Sequence, residues 1–142
     1  MMELSRTAGS SCPACGFALF HPVASLEVSH LGIYSDKRFP GRSLLISDLH
    51  YDDISEMPER EYLRFCNDIR RATEALKILT GSGRVNVSIL GNTESHVHAH
   101  LIPRYPENEL FPGKSPWNDP RQQEPLTTAE IADMSEKLAG IL

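Results

Sequence analysis

The sequence lacks an apolar run that could cross a membrane, and basic residues do not dominate its charge. Crossing a bilayer takes about 20 consecutive apolar residues, and no stretch of the 142 residues approaches that length. Lysine and arginine number 14 against 19 aspartates and glutamates, a formal net charge of −5. A nucleic-acid or membrane-surface binder usually has a basic patch or an isoelectric point above about 9. We therefore expect no nucleic-acid partner and no membrane partner, whereas a small anionic substrate stays open.

Cysteine is scarce and odd in number. The three cysteines, two of them in Cys12-Pro13-Ala14-Cys15, do not form the even framework of a disulfide-rich secreted domain. Residues 1–11 contain one arginine and no apolar segment of the kind that a signal peptide requires. These features predict a cytoplasmic protein, and the polar composition of residues 1–11 predicts a disordered terminus.

Length and apolar pattern predict a single α+β domain over residues 1–142. Short apolar stretches predict five strands, and the short links between neighbouring strands favour antiparallel pairing. The predicted strands cover residues 23–28, 30–34, 43–47, 84–90 and 96–102.

A long helix follows the third predicted strand. Pro58 suits the first helical position, and Glu59 and Glu61 suit the positive end of the helix dipole. Apolar residues then recur at three- and four-residue steps over residues 62–79, which indicates one buried face. Gly81 is expected to end the helix.

The C-terminal third of the chain predicts a loop and then a helix. Residues 105–125 are rich in proline and asparagine and are expected to form an extended loop, in which Trp117 could cover a site or pack in a core. Thr127 and Glu130 have the spacing of a capping box. A C-terminal helix is therefore expected over residues 127–142.

His96, His98 and His100 alternate along the last predicted strand. Because alternate side chains of a strand share a face, the three imidazoles should point one way, across about 13 Å, and the residues between them into the core. That arrangement suits metal binding, or nucleophilic and acid–base catalysis. Imidazole can attack phosphorus, and the middle histidine has a neighbour on each side to contact a phosphate or its leaving group. The alternative is three surface histidines on a solvated face.

The segment His96-Val97-His98-Ala99-His100-Leu101-Ile102 matches the histidine-triad (HIT) signature, in which apolar residues alternate with three histidines. The chain resembles bacterial histidine-triad proteins of the nucleotide hydrolase and nucleotidyltransferase superfamily, from Cys12 to about Trp117. This resemblance implies a HIT-like fold, an antiparallel sheet of about five strands with one long helix and a C-terminal helix. It also implies a nucleotide substrate and a homodimer.

The same resemblance implies the chemistry of the triad. His98 would attack the α-phosphate of a nucleotide, and water would resolve the nucleotidyl-histidine intermediate. His100 would contact the phosphate or assist the leaving group. Uridylyltransferase-like relatives carry glutamine at the third position, so His100 favours hydrolysis over nucleotidyl transfer. Dinucleoside polyphosphates, nucleoside phosphoramidates and adenylylated amino acids all suit such a nucleophile.

Two alternatives come from other classes of function. The first is a zinc-stabilised module that binds nucleotide without turning it over. The second is a metallohydrolase in which His96, His98 and His100 all bind a catalytic metal.

Residues near the triad supply candidates for nucleotide binding. The turn before the triad is shorter than the Gly-Gln-Ser-type turn common in the family, and Asn92 and Thr93 are its candidates for contacting phosphate. Glu94 would be unfavourable there unless it points away. By the resemblance, Asp36 would accept from a ribose hydroxyl, with ordinary turn formation as the alternative. Arg42 could reach a phosphate, but a solvated side chain is the simpler interpretation.

The Cys12/Cys15 pair is half of a zinc ribbon, since two thiolates at this spacing fit one edge of a tetrahedron. No second pair exists, so further ligands would be histidines or a carboxylate, with a metal-free cysteine pair as the alternative. His21 and His30 are expected to be ordinary surface residues. The resemblance implies a structural zinc ion on a closed set of four ligands. That set is Cys12, Cys15, His50 and His96.

Overall fold

A computed structural model describes residues 11–142 as one five-stranded antiparallel sheet with two helices, which confirms the α+β class. The expectation for residues 1–11 lies outside the described residues, apart from Ser11, which pairs with Ala18 in an isolated bridge. The sheet order is β1-β2-β3-β5-β4. The strands are β1 Pro22–Ser25, β2 Ser29–Ile33, β3 Ser43–Ser47, β4 Val85–Ser88 and β5 His98–Pro103. The helices are α1 Glu59–Thr80 and α2 Thr128–Ile141.

The strand that carries the triad begins later than predicted. β5 starts at His98, so His96 precedes the strand, and Pro103 stays within it opposite Val85. The reason is a change of partner at Val97, whose N–H donates to the carbonyl of Tyr51 at 2.9 Å. The Val97 carbonyl still accepts from the Ser47 N–H at 3.0 Å, so His96 stays close to β3.

Local sequence signals set the ends of both helices. Pro58 is the N-cap of α1, one position before its predicted place, and Gly81 ends the helix in the left-handed conformation with φ 69°. At the start of α2, Thr127 and Glu130 form the predicted capping box. Over residues 11–142, neither helix combines the length and the apolar content that crossing a membrane requires.

The two faces of the sheet differ in what covers them. α1 and α2 pack on one face, where buried residues form the main core. The other face carries a small apolar cluster, which Ile46 forms with Cys12 and Phe17. These last two residues belong to the N-terminal segment, residues 11–21, which precedes β1. His98 and His100 lie opposite Ile46 and Leu44 of β3, which places them on this second face. The main core includes Leu31, Leu45, Phe65, Leu76, Ala99, Leu101 and Leu138.

A buried carboxylate ties α1 to the turn between β1 and β2. Asp68 is fully buried and accepts hydrogen bonds from the N–H groups of Glu27 at 3.2 Å and Val28 at 2.9 Å. It also accepts from the Ser29 hydroxyl at 2.7 Å. Each hydrogen bond to a charged group stabilises by roughly 1.5–3 kcal/mol. This contact therefore fixes the long helix against the sheet.

Replacing Asp68 with alanine should lower the free energy of unfolding by about 3 kcal/mol, because buried donors lose their acceptor. Urea denaturation followed by circular dichroism measures the change. Asn67→Ala, at the exposed neighbouring position, is the control and should stay within about 0.5 kcal/mol of the unchanged protein. An Asp68→Ala variant as stable as that control would contradict this account of the helix anchor.

Candidate functional site

The three triad histidines lie side by side on the face of the sheet opposite α1 and α2. The ring centroids of His98 and His100 are 5.1 Å apart. The Phe17 ring packs beside the other two members, with centroid distances of 5.8 Å to His96 and 5.0 Å to His98. The shared face expected from strand alternation is therefore present, although His96 precedes β5.

A backbone hydrogen bond sets the orientation and the tautomer of His98. Its Nδ1 lies 2.6 Å from the carbonyl oxygen of His96. A carbonyl oxygen can only accept, so Nδ1 carries the hydrogen and Nε2 carries the lone pair. The side chain is buried and lines a cavity of the described chain. This form of imidazole can act as a nucleophile or as a base.

His100 is held as a neutral imidazole. Burial, with help from His98 and the positive charge of Arg42, lowers the pKa of His100 to about 4. The Trp117 ring meets it edge-on with a centroid distance of 4.9 Å. At neutral pH only about one molecule in a thousand carries the extra proton, because each pKa unit is a factor of ten. His100 can therefore make hydrogen bonds to a phosphate but is a poor source of protons.

A cavity of about 800 Å³ opens beside His98 and His100. Residues 15–21 of the N-terminal segment form one wall, and residues 90–94, the turn before the triad, form another. Asn92 and Thr93 line the cavity, as does Glu94, whose charge acts on the nearby Cys15 thiol. Its other lining residues include Phe20, Tyr34, Arg42, Trp117 and Gln123.

Asp36 is not brought into the cavity. It is fully buried and accepts from Arg38 at 2.9 Å and from Arg42 at 2.9 Å. Burial opposes its ionisation, but the hydrogen bonds from these two arginines give a net lowering of the pKa of Asp36. Its oxygens therefore hold the loop together, and the geometry does not support a ribose contact.

Arg42 departs from the expectation of a solvated side chain. It is 3% exposed, and its guanidinium lies over the Tyr34 ring at 3.9 Å from the centroid. A sequence signal for this position existed. Arg42 precedes Leu44 by two residues, so the alternation of β3 continued backwards places it on the face that carries His100.

The first triad histidine, His96, lies in a cluster with His50 and two cysteines. His50 Nδ1 lies 3.2 Å from His96 Nδ1 and 3.7 Å from the Cys12 Sγ, and the Cys15 Sγ lies 3.5 Å from His96 Nδ1. The four ligand atoms all lie within 4.8 Å of one another. These are the four residues of the expected ligand set, and together they could hold a metal ion.

Neighbouring oxygens orient both imidazoles toward this cluster. His96 Nε2 donates to the Ser47 carbonyl at 2.7 Å, and His50 Nε2 lies 3.2 Å from an Asp52 carboxylate oxygen. With the hydrogen on Nε2, each Nδ1 lone pair faces the thiols, and histidines that bind a metal commonly donate from their other ring nitrogen to an oxygen in this way. Burial, with the adjacent Cys12 thiol, raises the pKa of Cys15, which favours the protonated thiol. A cation bound between the two sulfurs would reverse this preference, because metal ligation favours the thiolate.

The two remaining histidines near the site stay outside the cluster. His30 is buried, and its Nδ1 lies 2.5 Å from an Asp48 carboxylate oxygen, so the expectation of a surface residue was wrong. Its position in β2 opposite Ile46 places it under the N-terminal segment. His21 is partly exposed and lines the cavity.

Sequence comparison identifies HIT-like relatives. No family model matches the sequence. An uncharacterised HIT-like protein of Methanocaldococcus jannaschii is 35% identical over 89 residues, which are 60% of this chain and 64% of that protein. An adenylylsulfatase of Arabidopsis thaliana is 30% identical over 80 residues, 53% of this chain and 41% of that protein. The matches thus span less than two thirds of the length of these curated relatives.

Solved structures share the fold. A histidine triad protein from Sinorhizobium meliloti superposes with a TM-score of 0.77 at 20% identity, covering 86% of this chain and 89% of that chain. A zinc-bound histidine triad family protein from Mycobacterium smegmatis gives a TM-score of 0.58 at 16% identity, covering 84% of each chain. The predicted HIT-like fold is therefore confirmed, and the resemblance stated from the triad agrees with the HIT-like relatives.

Proposed function

We propose that this protein is a nucleotide hydrolase of the histidine-triad type, with His98 as the nucleophile. The observation that carries the proposal is the hydrogen bond from His98 Nδ1 to the His96 carbonyl at 2.6 Å, which leaves Nε2 bare. His98 lines a cavity of about 800 Å³, within the range of about 300–1,000 Å³ typical of small-molecule sites. An imidazole fixed in this tautomer beside such a cavity is prepared to attack an α-phosphate.

The proposed reaction has two displacements at the α-phosphorus. His98 Nε2 first bonds to phosphorus as the bond to the leaving group breaks, with its electron pair going to the leaving group. Water then attacks phosphorus and releases one proton to solvent, while the phosphorus–nitrogen bond breaks and its electron pair returns to Nε2 of His98. Charge develops on the phosphate oxygens in both steps, so nearby donors lower the barrier. His100 and the cavity residues Asn92 and Thr93 are the proposed donors.

One observation favours hydrolysis over a module that only binds nucleotide, and a second argues against the triad metallohydrolase. The Arabidopsis relative is an adenylylsulfatase, an activity of the proposed class. Among the described residues, the metal cluster contains His96 but neither His98 nor His100, which argues against a catalytic metal held by the whole triad. The homodimer and the cytoplasmic location stay predictions.

The metal of the Cys/His cluster is proposed to be a structural zinc ion. Zinc bonds of about 2.05 Å to nitrogen and 2.3 Å to sulfur give tetrahedral edges of about 3.3 Å between nitrogens and about 3.6 Å between nitrogen and sulfur. The corresponding separations here are 3.2 Å, and 3.5 and 3.7 Å. The Mycobacterium smegmatis neighbour is zinc-bound. Four protein ligands leave no open position, so a bound zinc would neutralise the thiolates and hold the N-terminal segment to the sheet.

Protein purified without chelator should contain one equivalent of zinc per chain by elemental mass spectrometry. Cys12→Ser should lose most of this zinc, and its melting temperature should fall by roughly 10 °C or more, because the loss of a structural metal is among the large effects on stability. Cys66→Ser, which alters the cysteine outside the cluster, is the matched control and should keep both zinc and stability. Equal zinc loss in the two variants would contradict the assigned site.

His98 should carry a nucleotidyl group when the protein is trapped during turnover of adenylylated substrates. Intact-mass and peptide mass spectrometry measure the adduct and locate it. His98→Asn should lower kcat/KM by at least about 10³-fold, because the covalent route is lost. Circular dichroism serves as the control for folding. Turnover at the original rate in a folded His98→Asn variant would refute the proposed mechanism.

A further inference from the structure

Arg42 is a buried cation that lines the cavity near His100, and the proposed reaction leaves it without a role. One terminal nitrogen of its guanidinium donates to Asp36 at 2.9 Å. The guanidinium is stacked at 3.9 Å from the centroid of the Tyr34 ring, and the Trp117 ring centroid lies 5.1 Å away. Because these contacts fix the side chain, Arg42 presents a preorganised charge beside His100.

The hydrogen bonds of Arg42 are incomplete. Within residues 11–142, the buried Nε–H of Arg42 has no acceptor. The buried Nδ1 of His100 has no hydrogen-bond partner there either. A buried charged donor without an acceptor is unfavourable. Arg42 and His100 both line the cavity, so an anionic ligand there would lie beside the Arg42 guanidinium and offset its unpaired charge.

The local charge balance also favours an anion beside Arg42. Arg38 and Arg42 share the single carboxylate of Asp36, which leaves one net positive charge in this group. Glu94, in the turn before the triad, also lines the cavity, and its negative charge acts on Cys15. Since the charge of Arg42 acts on His100 and that of Glu94 acts on Cys15, an anionic group in the cavity is expected near Arg42 and away from Glu94.

We propose that Arg42 binds the departing group of the substrate, and that this group leaves as an anion, such as sulfate or a phosphate chain, not as a neutral amine. The inference rests on the proposed attack of His98 on the α-phosphate. When the bond from phosphorus to the bridging oxygen breaks, its electron pair stays on that oxygen and the group departs without needing a proton. Arg42 stabilises the charge that develops there.

The state of His100 agrees with this substrate class. An amine departing from a phosphoramidate must gain a proton on nitrogen, so it needs an acid at the leaving-group side. His100 is the histidine on that side, and its burial keeps it neutral. The site therefore stabilises a departing anion well and protonates a departing amine poorly.

Two substrates that share the adenylyl group and differ in the leaving group test the proposal. These are adenosine 5′-phosphosulfate and adenosine 5′-phosphoramidate. Arg42→Gln should lower kcat/KM for the phosphosulfate by about 10- to 100-fold, the loss expected when a charge-assisted contact is removed, and for the phosphoramidate by less than about 3-fold. Arg42→Lys keeps the charge and should retain part of the preference. Equal losses on both substrates would overturn the proposal.

Arg38→Gln is the matched control. Arg38 pairs with the same Asp36 carboxylate but does not line the cavity, so its loss should leave the ratio of the two kcat/KM values unchanged. A change of that ratio as large as in Arg42→Gln would assign the effect to the loop and overturn the role of Arg42.

A binding measurement separates this proposal from the proposed reaction. Trp117 is the single tryptophan of the chain and lies beside Arg42, so its fluorescence reports binding in a His98→Asn background. Adding Arg42→Gln should weaken phosphosulfate binding at least about 10-fold and leave AMP binding within about 2-fold. This result without turnover of either substrate by the unchanged protein would support the anion site and refute the hydrolase. Equal weakening for both ligands would refute the anion site.

Discussion

The backbone at His96 is the point on which the site depends. The His96 side chain donates from Nε2 to the Ser47 carbonyl at 2.7 Å and turns Nδ1 toward the cysteines. Its own carbonyl accepts from His98 Nδ1 at 2.6 Å. One residue therefore joins the proposed zinc cluster to the proposed nucleophile. Because a histidine ring can present only one lone pair when neutral, fixing the His98 hydrogen on Nδ1 decides which nitrogen can react.

The sheet separates stability from chemistry. Its helix-covered face buries the main apolar core, where full burial of each large side chain contributes about 1.5–3 kcal/mol. The other face has a small cluster formed by Cys12, Phe17 and Ile46, and α1 and α2 pack on the opposite face. The N-terminal segment covers this face and forms a cavity wall. A metal tether at Cys12 and Cys15 would therefore replace apolar burial as the means of holding that wall, as in other small structures with little core.

Period and capping signals made much of the fold predictable. β3 covers the predicted residues, and Gly81 and the Thr127 capping box set the helix ends as expected. These features depend on neighbours within a few positions along the chain, so a single sequence is enough to predict them. The start of β5 was misplaced because His96 lies where Val97 changes its partner to Tyr51, a residue distant in sequence.

The candidate site was predictable where alternation or spacing determines it. The shared face of the triad follows from strand geometry, and the four residues of the Cys/His cluster were anticipated through the family resemblance. The roles of Asp36, Arg42 and His30 depend on loop packing. The Asp36 carboxylate is paired with two arginines, and the His30 ring lies against the Asp48 carboxylate. The pairings of Asp36 with Arg42 and of His30 with Asp48 join residues six and eighteen positions apart, and no short-range pattern encodes them, although strand alternation indicates the face on which Arg42 lies.

If zinc binds the Cys/His cluster, the anchored His96 backbone should hold His98 in the tautomer with hydrogen on Nδ1. The most direct test is ¹⁵N NMR of the His98 ring in protein loaded with one equivalent of zinc and again after chelation. We expect hydrogen on Nδ1 and a bare Nε2 in the loaded protein, and loss of that ordered signal after chelation while the amide signals of the sheet persist. Hydrogen on Nε2 in the loaded protein, or an unchanged Nδ1–H signal after zinc is removed, would contradict this expectation.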